Sequence, residues 1–158
     1  MTRAVQIAVA GGGVCSARTA RLAAEVGREV AAAGAILVCG GLGGVMEAAA
    51  RAAATAGGLV VGILPGYDRA DGNPHCHVVV PTGLGHARNV LVAASGDALI
   101  ALPGAAGTAS EIALARVLGR PVVVLGSGRT RSTGRSAGLI RARTAAQAVR
   151  LALARVRR

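Results

Sequence analysis

The 158-residue sequence contains no lysine, no tryptophan and no phenylalanine, and Tyr67 is its only tyrosine. Without lysine there is nothing for a Walker A loop to set against phosphates and nothing to form a Schiff base with pyridoxal phosphate, so two large enzyme classes are excluded. With Tyr67 as the one aromatic ring of this kind the core must be aliphatic, and platforms for stacking nucleic-acid bases are missing. No apolar run reaches the roughly 18 residues of a membrane span, so no membrane association is expected. Val5–Ala10 after Arg3 has the look of a short secretory segment, but it is brief, runs into Gly11-Gly12-Gly13 and fits a first strand better. Cys15, Cys39 and Cys76 are an odd number without paired spacing, which points to reduced thiols in a cytoplasm and to no disulfide. Acidic residues end at Glu111: up to it seven Arg balance seven acids, and the eleven Arg beyond it carry the whole net charge of +11. Such a cationic end suits a polyanion, but with no stacking residues it reads as a solvated arginine-rich tail, and nucleic acid is not the expected partner.

What is present is Ala, Val, Leu and Gly in alternating blocks. Val5–Ala10, Ala35–Cys39, Leu59–Leu64, Val78–Val80, Ala98–Ala101 and Val122–Leu125 read as strands, and Leu139–Ala142 as an added edge strand. Between them lie helical stretches. One runs from a Ser16 cap to about Ala33 with Gly34 as its stop, others cover Val45–Ala56, Arg88–Ala94 and Thr108–Leu118, and the last follows a Thr144 cap to about Val156. Residues 126–138, rich in Arg, Ser, Thr and Gly, read as a mobile loop. Continuous apolar strands separated by helices imply one α/β domain over residues 1–158, a mostly parallel sheet flanked by helices in three layers. In such folds ligands bind at the carboxyl ends of the strands, which is where the glycine-rich turns after the first, second and fifth strands fall.

The most informative turn is Leu102-Pro103-Gly104-Ala105-Ala106-Gly107-Thr108-Ala109-Ser110-Glu111, which links an apolar strand directly to a helix. Small residues let backbone N–H groups approach an anion, the Thr108 hydroxyl adds a donor and the helix start adds a positive dipole end, so a phosphorylated small molecule is the implied ligand. Glu111 admits two readings. A carboxylate beside a phosphate cradle is costly and suggests chemistry or ribose recognition, whereas the Thr108-x-x-Glu111 spacing is also that of a helix capping box. The dinucleotide fingerprint is absent: the run from Gly11 ends at Ser16 instead of Gly, and no acid closes the second strand. NAD and FAD are therefore not expected. His75-Cys76-His77 offers at most two converging metal ligands, because successive residues of an extended segment face opposite ways, and no metal is expected.

Four blocks in order, Gly40-Gly41 with Gly43-Gly44-Val45-Met46-Glu47, Gly57 to Pro65, Arg88-Asn89 and Pro103 to Glu111, resemble the Rossmann-like superfamily of the "Lonely guy" cytokinin-activating phosphoribohydrolases. Gly72-Asn73-Pro74 and Thr82-Gly83-Leu84 ahead of Arg88-Asn89 are more similar to its molybdenum-cofactor carrier-like branch. The resemblance covers about Val5 to Leu125. It implies nucleotide-like binding without a required cofactor, the bound ligand being of molybdopterin or nucleotide type, and a homodimer or homotetramer, for which the Ala-rich helix Val45–Ala56 offers an apolar face.

If the protein is an enzyme, the resemblance implies an N-glycosidic hydrolase of nucleoside 5′-monophosphates with Arg88 and Glu111 as the catalytic pair. The lysine decarboxylase label often attached to such proteins lacks its lysine here. The residues implied to hold the ligand are Gly11, Gly12, Gly40, Gly41, Gly43, Glu47, Asn89, Pro103, Gly104, Ala105, Gly107 and Thr108. Asn89 stands where the hydrolases carry Lys, and Ala105 where they carry a second Gly.

Overall fold

A strand buried on both faces must be apolar at every position, and each continuous apolar run of this chain becomes such a strand. The computed structural model describes residues 3–126 and 138–156. Seven strands, β1 (Gln6–Ala10), β2 (Ile36–Cys39), β3 (Val60–Leu64), β4 (Val78–Pro81), β5 (Ala98–Ala101), β6 (Val122–Leu125) and β7 (Leu139–Ala142), form one sheet in the order β4-β3-β2-β1-β5-β6-β7. Every pairing is parallel. The chain moves outward from β1 to β4, returns to the other side of β1 as β5 and moves outward again, so the reversal falls between β1 and β5.

Helices α1 (Ala17–Ala32), α2 (Val45–Thr55) and α5 (Ala145–Leu153) cover one face, and α3 (Asn89–Ser95) and α4 (Ala106–Val117) the other. Strand residues alternate between the two cores: Ile7, Val9, Leu37 and Ile100 pack under the first group, and Ala8, Ala10, Val38 and Leu99 under the second. α1 and α2 approach closely because Gly27 lacks a side chain; a Cβ there would run into the carbonyl oxygen of Ala49.

Helix starts follow their caps. Ser16 Oγ accepts from Thr19 N–H at 3.1 Å, and Thr144 Oγ1 accepts from Gln147 N–H at 3.1 Å. Gly34, at φ +68°, stops α1 where expected. Two starts differ from the sequence reading. α3 begins at Asn89 after a 3-10 turn, Gly85–Arg88, and α4 begins at Ala106, two residues before Thr108. Apart from Gly126 and Gly138, the Arg-rich stretch read as a mobile loop lies outside the described residues. Among the described residues no helix is long and apolar enough to cross a membrane.

On the β3 side, Gly83 N–H donates to Gly66 O and Gly85 N–H to Pro65 O, both at 2.9 Å, which ties the turn after β3 to the segment leading into Arg88. The Tyr67 ring lies over Gly83, where a Cβ would be 2.7 Å from its Cδ1, yet the side chain remains largely exposed.

Candidate functional site at the carboxyl edge of the sheet

The three glycine-rich turns meet at the reversal point because their glycines leave room for one another. Gly12 N–H donates to Pro103 O at 3.1 Å, and Gly12 O accepts from Val45 N–H at 3.0 Å, so the turn after β1 is held between the turn after β5 and the start of α2. A Cβ on Gly104 would overlap the Thr108 hydroxyl and stand 2.9 Å from the Gly12 nitrogen. Gly44 caps α2 at φ +62°, where a side chain would be strained and would press 2.5 Å from the Gly13 carbonyl carbon. Gly40 is overlain by the Arg88 guanidinium, with the Met46 sulfur 2.7 Å from where its Cβ would be. Gly11 serves packing, since its Cβ position is 2.5 Å from Val45 Cγ1.

Four polar or charged residues are buried among the described residues, and all four are candidates from the sequence: Arg88, Asn89, Thr108 and Glu111, at 7%, 7%, 4% and 6% exposure. That concentration at one sheet edge is unusual, since buried charge is costly wherever it is not compensated. Asn89 Nδ2 donates to Ser110 Oγ at 2.9 Å, and Ser110 Oγ donates to Gly107 O at 2.7 Å, a relay that fixes the start of α3 against α4. The Arg88 Nε has no hydrogen-bond partner. Burial lowers the Arg88 guanidinium from its ordinary range, and the Glu111 charge works against that. Burial also pushes the Glu111 carboxyl up from 4.5 to about 7, with Arg88 pulling it down. No hydrogen bond or ion pair joins the two, although each senses the other's charge.

Glu111 does not form the capping box that its spacing from Thr108 allows. Ala105, with φ −102° and ψ −147°, is the N-cap of α4 and contributes no side-chain bond, and Ala109 N–H already bonds Ala105 O at 3.1 Å. Thr108 and Glu111 therefore lie inside the helix, three residues apart on one buried face, and neither serves as a cap. The first N–H groups of α4 are left without a side-chain cap beside the exposed stretch Gly104–Gly107. Next to them a cavity of about 420 Å³ is lined by Gly12, Gly13, Ser16, Pro103, Gly104 and Ala105. Glu47 sits half-buried in the first turn of α2, its Oε2 3.9 Å from the Cβ position of Gly43, and Gly41 O accepts from Asn73 N–H at 2.8 Å. A larger cavity, about 790 Å³, lies at the opposite edge between Asp97, Arg116, Arg120 and Arg155 and contains none of the motif residues.

His77 is occupied in the sheet, its Nδ1 accepting from Val60 N–H at 3.2 Å. Sequence reasoning missed Ser110 and Met46, the residues that position Asn89 and flank Arg88. Ser110 carried a usable signal, since it stands one residue before Glu111 in the glycine-rich stretch after β5; Met46 looked like ordinary helix core.

The chain is similar along its length to solved structures of molybdenum-cofactor proteins. The molybdenum cofactor binding protein of Rippkaea orientalis superposes with a TM-score of 0.89 at 29% identity over 98% of both chains. The molybdenum cofactor carrier protein of Chlamydomonas reinhardtii gives 0.86 at 32% identity, over 97% of this chain and 100% of that one. A cytokinin riboside 5′-monophosphate phosphoribohydrolase of Rhodococcoides fascians is 42% identical over 98 residues, 58% of this chain and 48% of that enzyme's length. The sequence profile of the SLOG cluster4 family matches residues 4–151, nearly the whole sequence, and the chain belongs to that family.

Proposed function

We propose that the protein binds a phosphorylated, nucleotide-like small molecule at the carboxyl edge of the sheet and acts as a molybdenum-cofactor carrier-like protein. The observation that carries this reading is the pairing of an uncapped helix start, α4, with a buried guanidinium whose Nε lacks a partner. Backbone N–H groups and the helix dipole suit a phosphate, and Arg88 adds a planar cationic fork. The donors fit the terminal phosphate of a pterin of the molybdopterin type. The similarity to the two molybdenum-cofactor proteins supports that choice of ligand over a generic phosphate.

One observation favours a second reading, hydrolysis of a nucleoside 5′-monophosphate. Glu111, with a carboxyl near 7, is placed to exchange a proton near neutrality and, once ionised, to stabilise positive charge at C1′ while water displaces the base. The Rhodococcoides enzyme supports it as well. Equilibrium dialysis against molybdopterin and against a panel of nucleoside 5′-monophosphates, followed by chromatography, separates the two. The carrier reading expects the pterin to be retained and every monophosphate recovered intact; free base with ribose 5-phosphate would establish the hydrolase instead, and retention of neither ligand class would sink both.

The proposed assembly is a homodimer or homotetramer. The Ala-rich face of α2 does not serve it: Ala48, Ala49, Ala50, Ala52 and Ala53 are buried within the chain, largely against α1. Apolar surface near the site includes Leu84 with Val90 and Leu91 of α3, which are 51%, 36% and 37% exposed, and Val14 beside the small cavity. Light scattering at micromolar concentration should report twice or four times the chain mass of 15.4 kDa, and a monomer would refute the proposal.

A further inference from the structure

The segment between β3 and β4 crosses the sheet beside the site and carries a thiol that phosphate binding does not use. Asn73 pins it: its N–H donates to Gly41 O at 2.8 Å, its Nδ2 to Leu42 O at 3.1 Å, and its backbone oxygen accepts from Cys76 N–H at 3.3 Å. Cys76 Sγ thereby occupies the space that a side chain on Gly62 would fill, 2.7 Å from that glycine's Cβ position. Gly62 is registered on Cys39 of the adjacent strand. Registered residues of neighbouring strands project to the same side of a sheet about 5 Å apart, so a sulfur in the place of Gly62's side chain stands beside the Cys39 thiol. Both thiols pack in the same core, and each shifts the acidity of the other.

The two are unequal. Cys39 is fully buried and its thiol is pushed up, first by the neighbouring Cys76 and then by burial. Cys76 is part-exposed, donates to Asn73 Oδ1 at 3.6 Å, and is lowered chiefly by the neighbouring Cys39. Both are free thiols, as is Cys15 on the far side of the site. One accessible thiol of enhanced acidity with a sheltered thiol against it is the arrangement of an attacking and a resolving cysteine.

We propose that Cys39 and Cys76 form an oxidisable pair that a low-molecular-weight disulfide converts into an intrachain disulfide. The Cys76 thiolate attacks one sulfur of the reagent, forming a mixed disulfide and expelling one thiolate. Cys39 then gives up its proton as its sulfur attacks Cys76 Sγ, and the second reagent thiol leaves. Two protein thiols are oxidised to one disulfide while one reagent disulfide is reduced to two thiols, and the protons lost by the protein are taken up by the products. The new bond lies one residue from Gly40, under the Arg88 guanidinium, and its formation does not depend on what the site binds.

The full chain is incubated with oxidised glutathione, alkylated and mapped without reduction. Cleavage at Arg51 and Arg69 places the two cysteines on separate peptides, so a bridge is directly visible. Free thiols should fall from three to one, with Cys15 the one alkylated and a 39–76 peptide pair recovered. Cys39→Ser should leave glutathione on Cys76, because nothing resolves the mixed disulfide. A mixed disulfide that persists on Cys76 in the parent chain, a bridge through Cys15, or three surviving thiols would each overturn the proposal.

Discussion

Arg88→Ala is expected to weaken binding of a ligand phosphate by about 100-fold, roughly 2.7 kcal/mol, the range for losing charge-assisted hydrogen bonds in a desolvated site. The side chain is 7% exposed, lies over Gly40 and keeps its Nε unbonded, so its removal opens a gap at the carboxyl edge without breaking any internal hydrogen bond. Arg88→Lys should recover only part of the loss, because an ammonium cannot present two parallel donors to a phosphate. Isothermal calorimetry with the bound ligand class measures this, and circular dichroism confirms that the variants fold. Unchanged affinity in a folded Arg88→Ala protein would remove the arginine from the site.

Glu111→Gln should give the other large effect, and its sign depends on pH. A carboxyl at about 7 in the folded chain against 4.5 ordinarily means that the native state holds the proton more tightly than the unfolded one. Stability is therefore lost as pH rises from about 4.5 to about 7, and the full cost above that window is about 3 kcal/mol. Gln does not titrate. The variant should be more stable than the parent at pH 8 by up to about 3 kcal/mol, with the difference closing toward pH 4, as read by urea denaturation at several pH values. A gap that does not vary with pH would mean that Glu111 titrates normally. If the protein hydrolyses monophosphates, the same substitution should lower turnover by about 10² or more with affinity kept or improved, since the charge that stabilises the transition state is gone. A carrier would keep its ligand. Instability at neutral pH created by a site residue is the usual mark of a group retained for function.

The sequence exposed the architecture because its signals were local. Apolar runs, Ser16 and Thr144 as caps and Gly34 as a stop each act within a few residues, and every element formed within two residues of its expected bounds except α5, which ends at Leu153, three residues before the expected Val156. The strand–turn–helix passage from β5 into α4 was legible for the same reason. The role of Glu111 was not, because a capping box and an inward-facing pair share the same three-residue spacing, and only the start of α4 at Ala106 separates them. Ser110 and Met46 act on Asn89 and Arg88, residues far away in the chain. Likewise the Cys39 and Cys76 contact depends on the missing side chain of Gly62, a coincidence of register that spacing along the chain does not encode.

Tyr67 has a consequence for how the molecule is observed. With no tryptophan and no other tyrosine, absorbance and emission in the near ultraviolet come from one phenol ring. That ring rests on Gly83, in the strap that hydrogen-bonds Gly66 and leads through Gly85 to Arg88. Its spectrum is therefore a local gauge of the arginine's support, silent about the rest of the sheet, and it reads that segment without any introduced label.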